Sequence, residues 1–93
     1  MSAEARQVRH EPGAFFVEHE GRRIATLTYS ESGRDAIVDH TWVDPAMRGG
    51  GDAKRMVEAL VAWAREGHRK IVPVCSYVRA VIRGREYDDI RKA

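Results

Sequence analysis

The chain has 93 residues, of which 43% are hydrophobic and 32% are charged, and its formal net charge is +2. This length allows one hydrophobic core, and the small net charge gives no support to a nucleic-acid-binding or membrane-surface protein. No apolar run approaches the ~20 residues of a membrane span, residues 1–11 lack a signal-peptide segment, and one cysteine cannot form an internal disulfide. We therefore expect a single cytoplasmic domain over residues 1–93.

The start of the chain is polar and gives little sign of regular structure. Residues 1–13 contain few apolar side chains and end in the breaker pair Pro12-Gly13. We expect a flexible segment that holds at most a short strand near Val8. His10 lies in this segment and is predicted to be exposed to solvent.

Three segments that are predicted to be extended follow, and in the first of them Phe15 and Val17 share one face. The segments are residues 14–20, 23–30 and 36–43. Short turns are predicted between them, at Gly21-Arg22 and at residues 31–34. Consecutive strands joined by short turns predict an antiparallel three-stranded meander.

The apolar period then changes from two to between three and four, which predicts a helix over residues 52–65 that ends near Gly67. Its apolar face consists of Ala53, Met56, Val57, Leu60, Val61 and Ala64. Residues 70–74 are predicted to form a strand parallel to the third one, because a helix connects the two. A second helix begins at Cys75 or Ser76 and ends at Gly84. The expected fold class is therefore α+β.

A run of three glycines, Gly49 to Gly51, connects the third strand to the first helix. Glycine tolerates positive φ and lets backbone N–H groups approach a ligand closely, and a helix start favours anions. The loop therefore predicts a phosphate or pyrophosphate site. A Walker loop would need Gly-Lys-Ser/Thr, whereas Lys54 follows Ala53. A dinucleotide fingerprint would need glycine in place of Lys54, and a plain connecting loop remains the alternative.

The spacing Arg48-x-x-Gly51-x-Ala53 resembles the acyl-CoA pyrophosphate loop of the GNAT superfamily of N-acetyltransferases. Flanking motifs extend the resemblance to a compact branch of that superfamily over about residues 15–90. These motifs are His40-Thr41-x-Val43-x-Pro45, Val72-Pro73-x-Cys75-x-Tyr77-Val78 and Glu86-Tyr87. The chain departs from the branch at Asp52, where an apolar or small residue is usual, and at Arg85, where proline is frequent.

The resemblance implies a small GNAT-like domain that binds acetyl-CoA or coenzyme A in a gap between the third and fourth strands. The backbone near Trp42 and Val43 would pair with the pantetheine amides. The implied cofactor-binding residues are Trp42, Val43, Arg48, Gly49, Gly50, Gly51, Asp52, Ala53 and Lys54. A carboxylate ~4 Å from a phosphate costs about 1 kcal/mol in water. Asp52 would therefore need its basic neighbours to offset its charge, or would turn away to cap its helix.

The same resemblance points to Cys75, His40 and Tyr77 as catalytic residues. Cys75 lies at a helix start, which lowers the pKa of a thiol, and it could carry the acetyl group. His40 could take a proton from the thiol or from an amine acceptor, and Tyr77 could protonate the leaving CoA thiolate. Each also has a structural alternative: a buried small cysteine, a hydrogen-bonded histidine and a tyrosine that covers the helix start. No histidine spacing indicates a metal site.

These implications make an N-acetyltransferase acting on a small amine or an exposed lysine the first functional hypothesis. A coenzyme A-binding module without turnover is the second. Nucleic-acid binding through the basic residues after Arg65 is disfavoured, because Glu66 and Glu86 interrupt them and no aromatic platform is visible. The loops that would form the acceptor pocket carry no recognisable motif, so the sequence does not identify the acceptor. An exposed strand edge in the N-terminal hairpin is compatible with a monomer or a weak homodimer.

Overall fold

The computed structural model describes residues 6–92 and places five strands in one sheet, in the order β1-β2-β3-β4-β5. The strands are β1 (Val8–Glu11), β2 (Ala14–His19), β3 (Arg22–Ser32), β4 (Asp35–Val43) and β5 (Lys70–Pro73). The helices are α1 (Asp52–Glu66) and α2 (Ser76–Val81), and Pro45–Met47 and Arg85–Tyr87 form 3₁₀ turns. Strands β1 to β4 are antiparallel to their neighbours, and β5 is parallel to β4. The predicted α+β class is confirmed.

The meander has four strands rather than the three predicted, because Val8–Glu11 pairs with β2. The short strand allowed near Val8 is therefore present, and residues 1–5 of the segment lie outside the described part of the chain. Four residues with one aliphatic side chain give too little alternation to show from sequence that this strand joins the meander. His10 is exposed, as predicted, but its ring also stacks on Phe15 at a centroid distance of 4.0 Å.

The turns also differ slightly from their predicted positions. The turn between β2 and β3 is Glu20-Gly21, one residue before the prediction, since Arg22 still pairs with His19. Both turn residues have positive φ, 53° for Glu20 and 77° for Gly21. This is the backbone combination that matches the twist of a two-residue hairpin. Strand β3 continues to Ser32, so the turn between β3 and β4 is also shorter than predicted.

Helix α1 packs its predicted apolar face on the sheet and closes the core. Met56, Val57, Leu60, Val61 and Ala64 are buried, and Ala53 is half-buried. The C-terminal part adds further buried side chains, which are Val78, Ile82 and Ile90. The backbone of Ile71 donates to the Ile90 carbonyl at 2.6 Å and fixes the end of the chain against β5. The helix therefore holds the preceding glycine loop against a well-packed support.

Strands β4 and β5 separate after a short paired region, as predicted for the gap. Pairing ends at Val38 and Pro73, where the backbone N–H groups of Val74 and Cys75 both donate to the Val38 carbonyl. Strand β4 continues for five more residues without a partner on that side among residues 6–92. The gap therefore lies between the second half of β4 and α2.

A bulge at the same position changes which side chains of β4 face the gap. Val38 pairs with Tyr29 and His40 with Thr28, so Asp39 is an extra residue in β4. Before the bulge, Ala36 and Val38 face the core. Without the extra residue His40 would follow them inward, because side chains alternate along a strand. With it, Thr41 faces inward and His40 faces outward.

Candidate functional site

A cavity of about 430 Å³ occupies the gap and extends to the glycine loop. Its walls are Thr41, Val43, Met47, Arg48, Gly49, Gly51, Asp52, Ala53, Lys54 and Tyr77. Eight of these residues are among the predicted site residues. Thr41 and Met47 are additions, whereas Gly50, Trp42, His40 and Cys75 do not line the cavity. The sequence-predicted loop and the open strand edge therefore belong to one continuous surface.

The backbone of β4 offers hydrogen-bonding groups to this cavity at alternate residues. The Asp44 N–H donates to the Ile24 carbonyl, and the same register pairs Trp42 with Thr26. In an antiparallel pair these residues direct their N–H and C=O groups to the partner strand, and the residues between them direct theirs away. The backbone N–H and C=O groups of Thr41 and Val43 therefore face the gap. The backbone of Trp42 pairs with β3 instead, and its side chain is 40% exposed.

The glycine loop adopts a backbone that glycine permits and places open N–H groups at the cavity. Gly49 and Gly51 have φ values of 90° and 82°. Gly51 precedes α1, and its carbonyl accepts the Arg55 N–H at 3.1 Å. In the described part of the chain no side chain caps this helix start. The first N–H groups of α1 thus remain available, together with the helix dipole, for an anion.

Charged side chains on this wall differ in exposure. Arg48 and Lys54 are exposed, so their cationic groups are accessible from the cavity mouth. The Asp52 side chain is 0% exposed and forms ion pairs with Arg6 and Arg55. Its side chain turns away from the cavity without capping the helix, and its charge is offset by basic side chains, as the first alternative expected: Arg55 is a neighbour in sequence and Arg6 is an addition. Arg6 had no sequence signal, since 46 residues separate it from Asp52.

Cys75 lies directly before α2, beside the cavity. Its sulfur is 3.4 Å from the hydroxyl oxygen of Thr41. Burial acts to raise the pKa of the Cys75 thiol, but the Thr41 hydroxyl acts against it. Backbone N–H groups of Val78, Tyr77 and Thr41 add to that effect, and the pKa of Cys75 is lowered below its ordinary value. A lowered pKa increases the thiolate fraction near neutral pH.

Tyr77 lines the cavity from α2 and is 38% exposed. Burial, and then the nearby Glu58 carboxylate, raise the pKa of its phenol. The hydroxyl therefore keeps its proton at neutral and mildly alkaline pH. A protonated phenol in this position can donate a hydrogen bond or a proton to a group in the cavity.

His40 lies on the opposite face of β4 from Thr41, because of the bulge at Asp39. Its neighbour Asp39 is exposed and accepts a hydrogen bond from the Thr28 hydroxyl at 2.7 Å. The structure thus brings Thr41 and Tyr77 together with Cys75, and it does not place His40 beside the sulfur. Thr41 was missed because its place beside Cys75 depends on the bulge at Asp39, which no sequence motif indicates.

Within residues 6–92 no group of three or more His, Cys, Asp or Glu side chains is placed to hold a metal ion. No helix in this part of the chain has the length and apolar character needed to cross a membrane.

Comparison with known proteins identifies relatives of the chain. The family model described as GCN5-related N-acetyl-transferase matches residues 14–90. The fold is similar to that of a GCN5-like protein from Staphylococcus aureus assigned to the N-acetyltransferases, with a TM-score of 0.74 and 26% identity over 94% of this chain and 88% of the other. No curated protein matches the chain at a significant level.

A larger acetyltransferase shares the fold at lower identity. The ribosomal-protein-alanine N-acetyltransferase from Brucella melitensis biovar Abortus 2308 has a TM-score of 0.58 and 21% identity to this chain. The alignment covers 86% of this chain and 62% of that one. At this identity the likeness concerns the fold alone.

Proposed function

The chain belongs to the GCN5-related N-acetyltransferase family, and from this premise we propose that it transfers an acetyl group from acetyl-CoA to an amine. The observation that carries the proposal is the continuity of the cavity, which runs from the glycine loop to Thr41 and Tyr77. One end of it is suited to phosphates. The other end adjoins a cysteine of lowered pKa.

The residues around the cavity fit the chemistry of coenzyme A. The open N–H groups at the start of α1 and the cations Arg48 and Lys54 suit a pyrophosphate. The gap-facing backbone of Thr41 and Val43 suits the pantetheine amides, which pair as an added strand would. In acetyl-CoA the thioester supplies an activated acetyl group. Trp42 is not proposed as a backbone partner, since its N–H and C=O groups face β3.

Cys75 and Tyr77 are proposed to act on the cofactor side of β4. The Cys75 thiolate would accept the acetyl group on its sulfur and pass it to the amine, which makes the transfer a two-step reaction. Tyr77, whose pKa is raised, would supply the proton to the departing thiolate of CoA. Thr41 would stabilise the Cys75 thiolate by donating its hydroxyl hydrogen.

His40 is proposed to act on the acceptor side, because it lies on the outer face of β4 beside Asp39. An amine acceptor arrives as an ammonium ion and must lose a proton before it can attack a carbonyl carbon. An imidazole nitrogen can accept that proton. The exposed Asp39 carboxylate would attract the cationic acceptor. We propose a small amine or an accessible lysine as the acceptor.

A coenzyme A-binding module without turnover is the second candidate. The observation that favours it is the open outer face of β4, where Trp42 is 40% exposed and where His40 lies outside the cavity. Such a module would bind acetyl-CoA in the same cavity. The two functions differ only in whether an acceptor stimulates release of the CoA thiol.

The test is a measurement of free CoA thiol with and without a panel of amines and lysine peptides, combined with intact mass. The proposed enzyme releases CoA in an acceptor-dependent manner, and the Cys75→Ala variant lacks the acetyl adduct seen on the wild-type protein. Release that no amine or peptide stimulates, with binding retained, would favour the module. Absence of binding to acetyl-CoA would contradict both functions.

A further inference from the structure

The buried carboxylate of Asp52 joins two distant arginines beneath the glycine loop. Asp52 is the buried charged residue among residues 6–92, with a side-chain exposure of 0%. The Arg6 Nη2 group donates to Asp52 Oδ2 at 2.9 Å, and the Arg55 guanidinium binds Oδ1. The two arginine side chains are 26% and 28% exposed. A carboxylate is tolerated at such a depth only when it is paired and hydrogen-bonded, so the three side chains form one unit.

The unit contacts the glycine loop directly. Arg55 Nη1 donates to the Gly50 carbonyl at 3.1 Å. A Cβ atom added at Gly50 would lie 3.3 Å from Arg6 Nη2 and 3.5 Å from Asp52 Oδ2. Gly50, unlike Gly49 and Gly51, does not have a positive φ. A side chain at Gly50 would therefore lie against the Arg6 guanidinium and Asp52, so this residue packs directly on the unit.

The balance of charge at this position also depends on Arg6. Two guanidinium groups and one carboxylate leave a net charge of one positive unit beside the open N–H groups of α1. Without Arg6 the net charge of the unit would be zero, and Asp52 would keep one cationic partner. The unit would then lose one of the two guanidinium groups that fix Asp52, and with it a positive charge next to a phosphate-binding position.

We infer that Arg6 is a positioning residue for the cofactor loop: through Asp52 and Arg55 it holds Gly49, Gly50 and Gly51 in the conformation that receives a phosphate. This inference rests on the proposed function for the identity of the ligand, coenzyme A. The link from Arg6 to the loop runs through side chains of the protein itself, those of Asp52 and Arg55. It extends the site beyond residues 48–54 to the segment that precedes β1.

A matched set of variants separates this role from a general effect of charge. Arg6→Ala removes the ion pair with Asp52, and Arg6→Lys keeps the positive charge. Arg9→Ala is the control, since Arg9 is a nearby arginine that lies in β1 and pairs with the exposed Glu18 at 3.4 Å. Asp52→Asn, alone and combined with Arg6→Ala, completes a double-mutant cycle. The melting temperature and circular dichroism of each variant establish that it is folded under the assay conditions.

The first readout needs no ligand. Backbone amide chemical shifts of Gly49, Gly50 and Gly51 are compared among the variants. Arg6→Ala is expected to shift all three resonances, Arg6→Lys to shift them less, and Arg9→Ala to leave them unchanged. Loop resonances that stay in place in folded Arg6→Ala would overturn the inference, whatever the protein binds.

The second readout is the dissociation constant of coenzyme A, together with KM and kcat. Arg6→Ala is expected to raise the dissociation constant and KM for acetyl-CoA about tenfold, a change of about 1.4 kcal/mol, with kcat unchanged. In the Arg6→Ala/Asp52→Asn double variant the loss should be smaller than in Arg6→Ala, because no charged carboxylate is left underpaired. Equal losses in both would overturn the role through Asp52. If wild-type protein binds no coenzyme A, the proposed function fails, while the amide shifts still decide the link between Arg6 and the loop.

Discussion

The hydroxyl oxygen of Thr41 lies 3.4 Å from the sulfur of Cys75, across the gap between β4 and α2. This contact joins β4 to the start of α2 beyond the point where the pairing of β4 with β5 ends. It depends on the bulge at Asp39, which turns Thr41 rather than His40 toward the gap. The side chain that tunes the cysteine is therefore a threonine from the neighbouring strand.

Replacing Thr41 should make Cys75 less reactive. The hydrogen bond from Thr41 is the largest of the effects that lower the pKa of the Cys75 thiol. In Thr41→Val the pKa should rise, and alkylation by iodoacetamide at pH 7 should slow several-fold, since each pKa unit changes the thiolate fraction about tenfold. Thr41→Ser keeps the hydroxyl and should alkylate at nearly the wild-type rate. A Thr41→Val rate profile that coincides with wild type from pH 6 to 10 would argue against the contact.

Removing the phenol hydroxyl should slow the reaction without weakening cofactor binding. Tyr77→Phe keeps the ring that lines the cavity and loses the proton whose pKa is raised. General acid catalysis contributes typically 10²–10⁴-fold, so kcat should fall by at least about 10²-fold. KM for acetyl-CoA should change little. A rise in KM at constant kcat would mean that Tyr77 only binds the cofactor.

The positions of His40 and Cys75 on opposite faces of β4 predict separable defects. His40→Gln should leave acetylation of Cys75 intact and slow its acceptor-dependent loss, because the variant lacks the base that takes a proton from the amine. Cys75→Ser should abolish the stable adduct. Intact mass before and after addition of acceptor distinguishes the two. If His40→Gln prevented adduct formation, the assignment of His40 to the acceptor side would be incorrect.

The left-handed backbone at Gly51 predicts a loss of cofactor binding on substitution. Alanine at a φ of 82° costs about 1–2 kcal/mol, and its Cβ would lie 3.1 Å from Arg55 Nη1. Gly33→Ala is the control, because Gly33 has a φ of 61° in a distant hairpin with nothing near its Cβ position. Both variants should lose similar stability in urea. Only Gly51→Ala should weaken coenzyme A binding, and equal affinities in the two variants would count against the loop as the binding site.

The aromatic contact of His10 predicts a pH dependence of stability. Its Nε2 atom is 2.6 Å from the Tyr29 hydroxyl. Burial, and then the positive charge of Arg69, lower the pKa of His10, while Glu31 acts in the opposite direction. The unfolded chain therefore binds the proton more readily, and the stability that His10 contributes is present above its unfolded pKa near 6.5 and lost as pH falls through the lower folded value.

His10→Phe should keep the stacking on Phe15 and remove this titration. Melting temperatures of the variant should consequently fall less than those of wild type between pH 7 and pH 5. Parallel curves for the two proteins over that interval would contradict the assignment.

Local patterns sufficed for the elements that carry the cofactor loop. The apolar stripe from Ala53 to Ala64 has the helical period, and the glycine run before it needs no knowledge of the rest of the chain. A short strand near Val8 was allowed by the sequence, but its place as the edge strand of the meander could not be predicted, because it depends on pairing with β2. The Arg6–Asp52 pair was equally hidden, since nothing in a sequence relates two residues 46 positions apart.

The candidate catalytic residues show a different limit of sequence patterns. Cys75 and Tyr77 follow β5 within a few residues, and their place beside the gap follows from the predicted divergence of β4 and β5. The orientation of His40 depended on whether β4 contains an extra residue. A bulge leaves no reliable trace in alternation when the residues beyond it, such as Thr41, are polar. The register of β4 with β3 therefore decides on which side of β4 the His40 side chain lies.

The central claim is that the cavity between β4 and α2 binds acetyl-CoA, and a thermal melt with and without coenzyme A and acetyl-CoA tests it most directly. A ligand at 100 times its dissociation constant stabilises the folded state by about 2.7 kcal/mol, which for a domain of this size raises the melting temperature by on the order of 10 °C. We expect such a rise for both ligands, and a smaller one for Gly51→Ala at the same ligand concentration. An unchanged melting temperature with both ligands at millimolar concentration would contradict the claim.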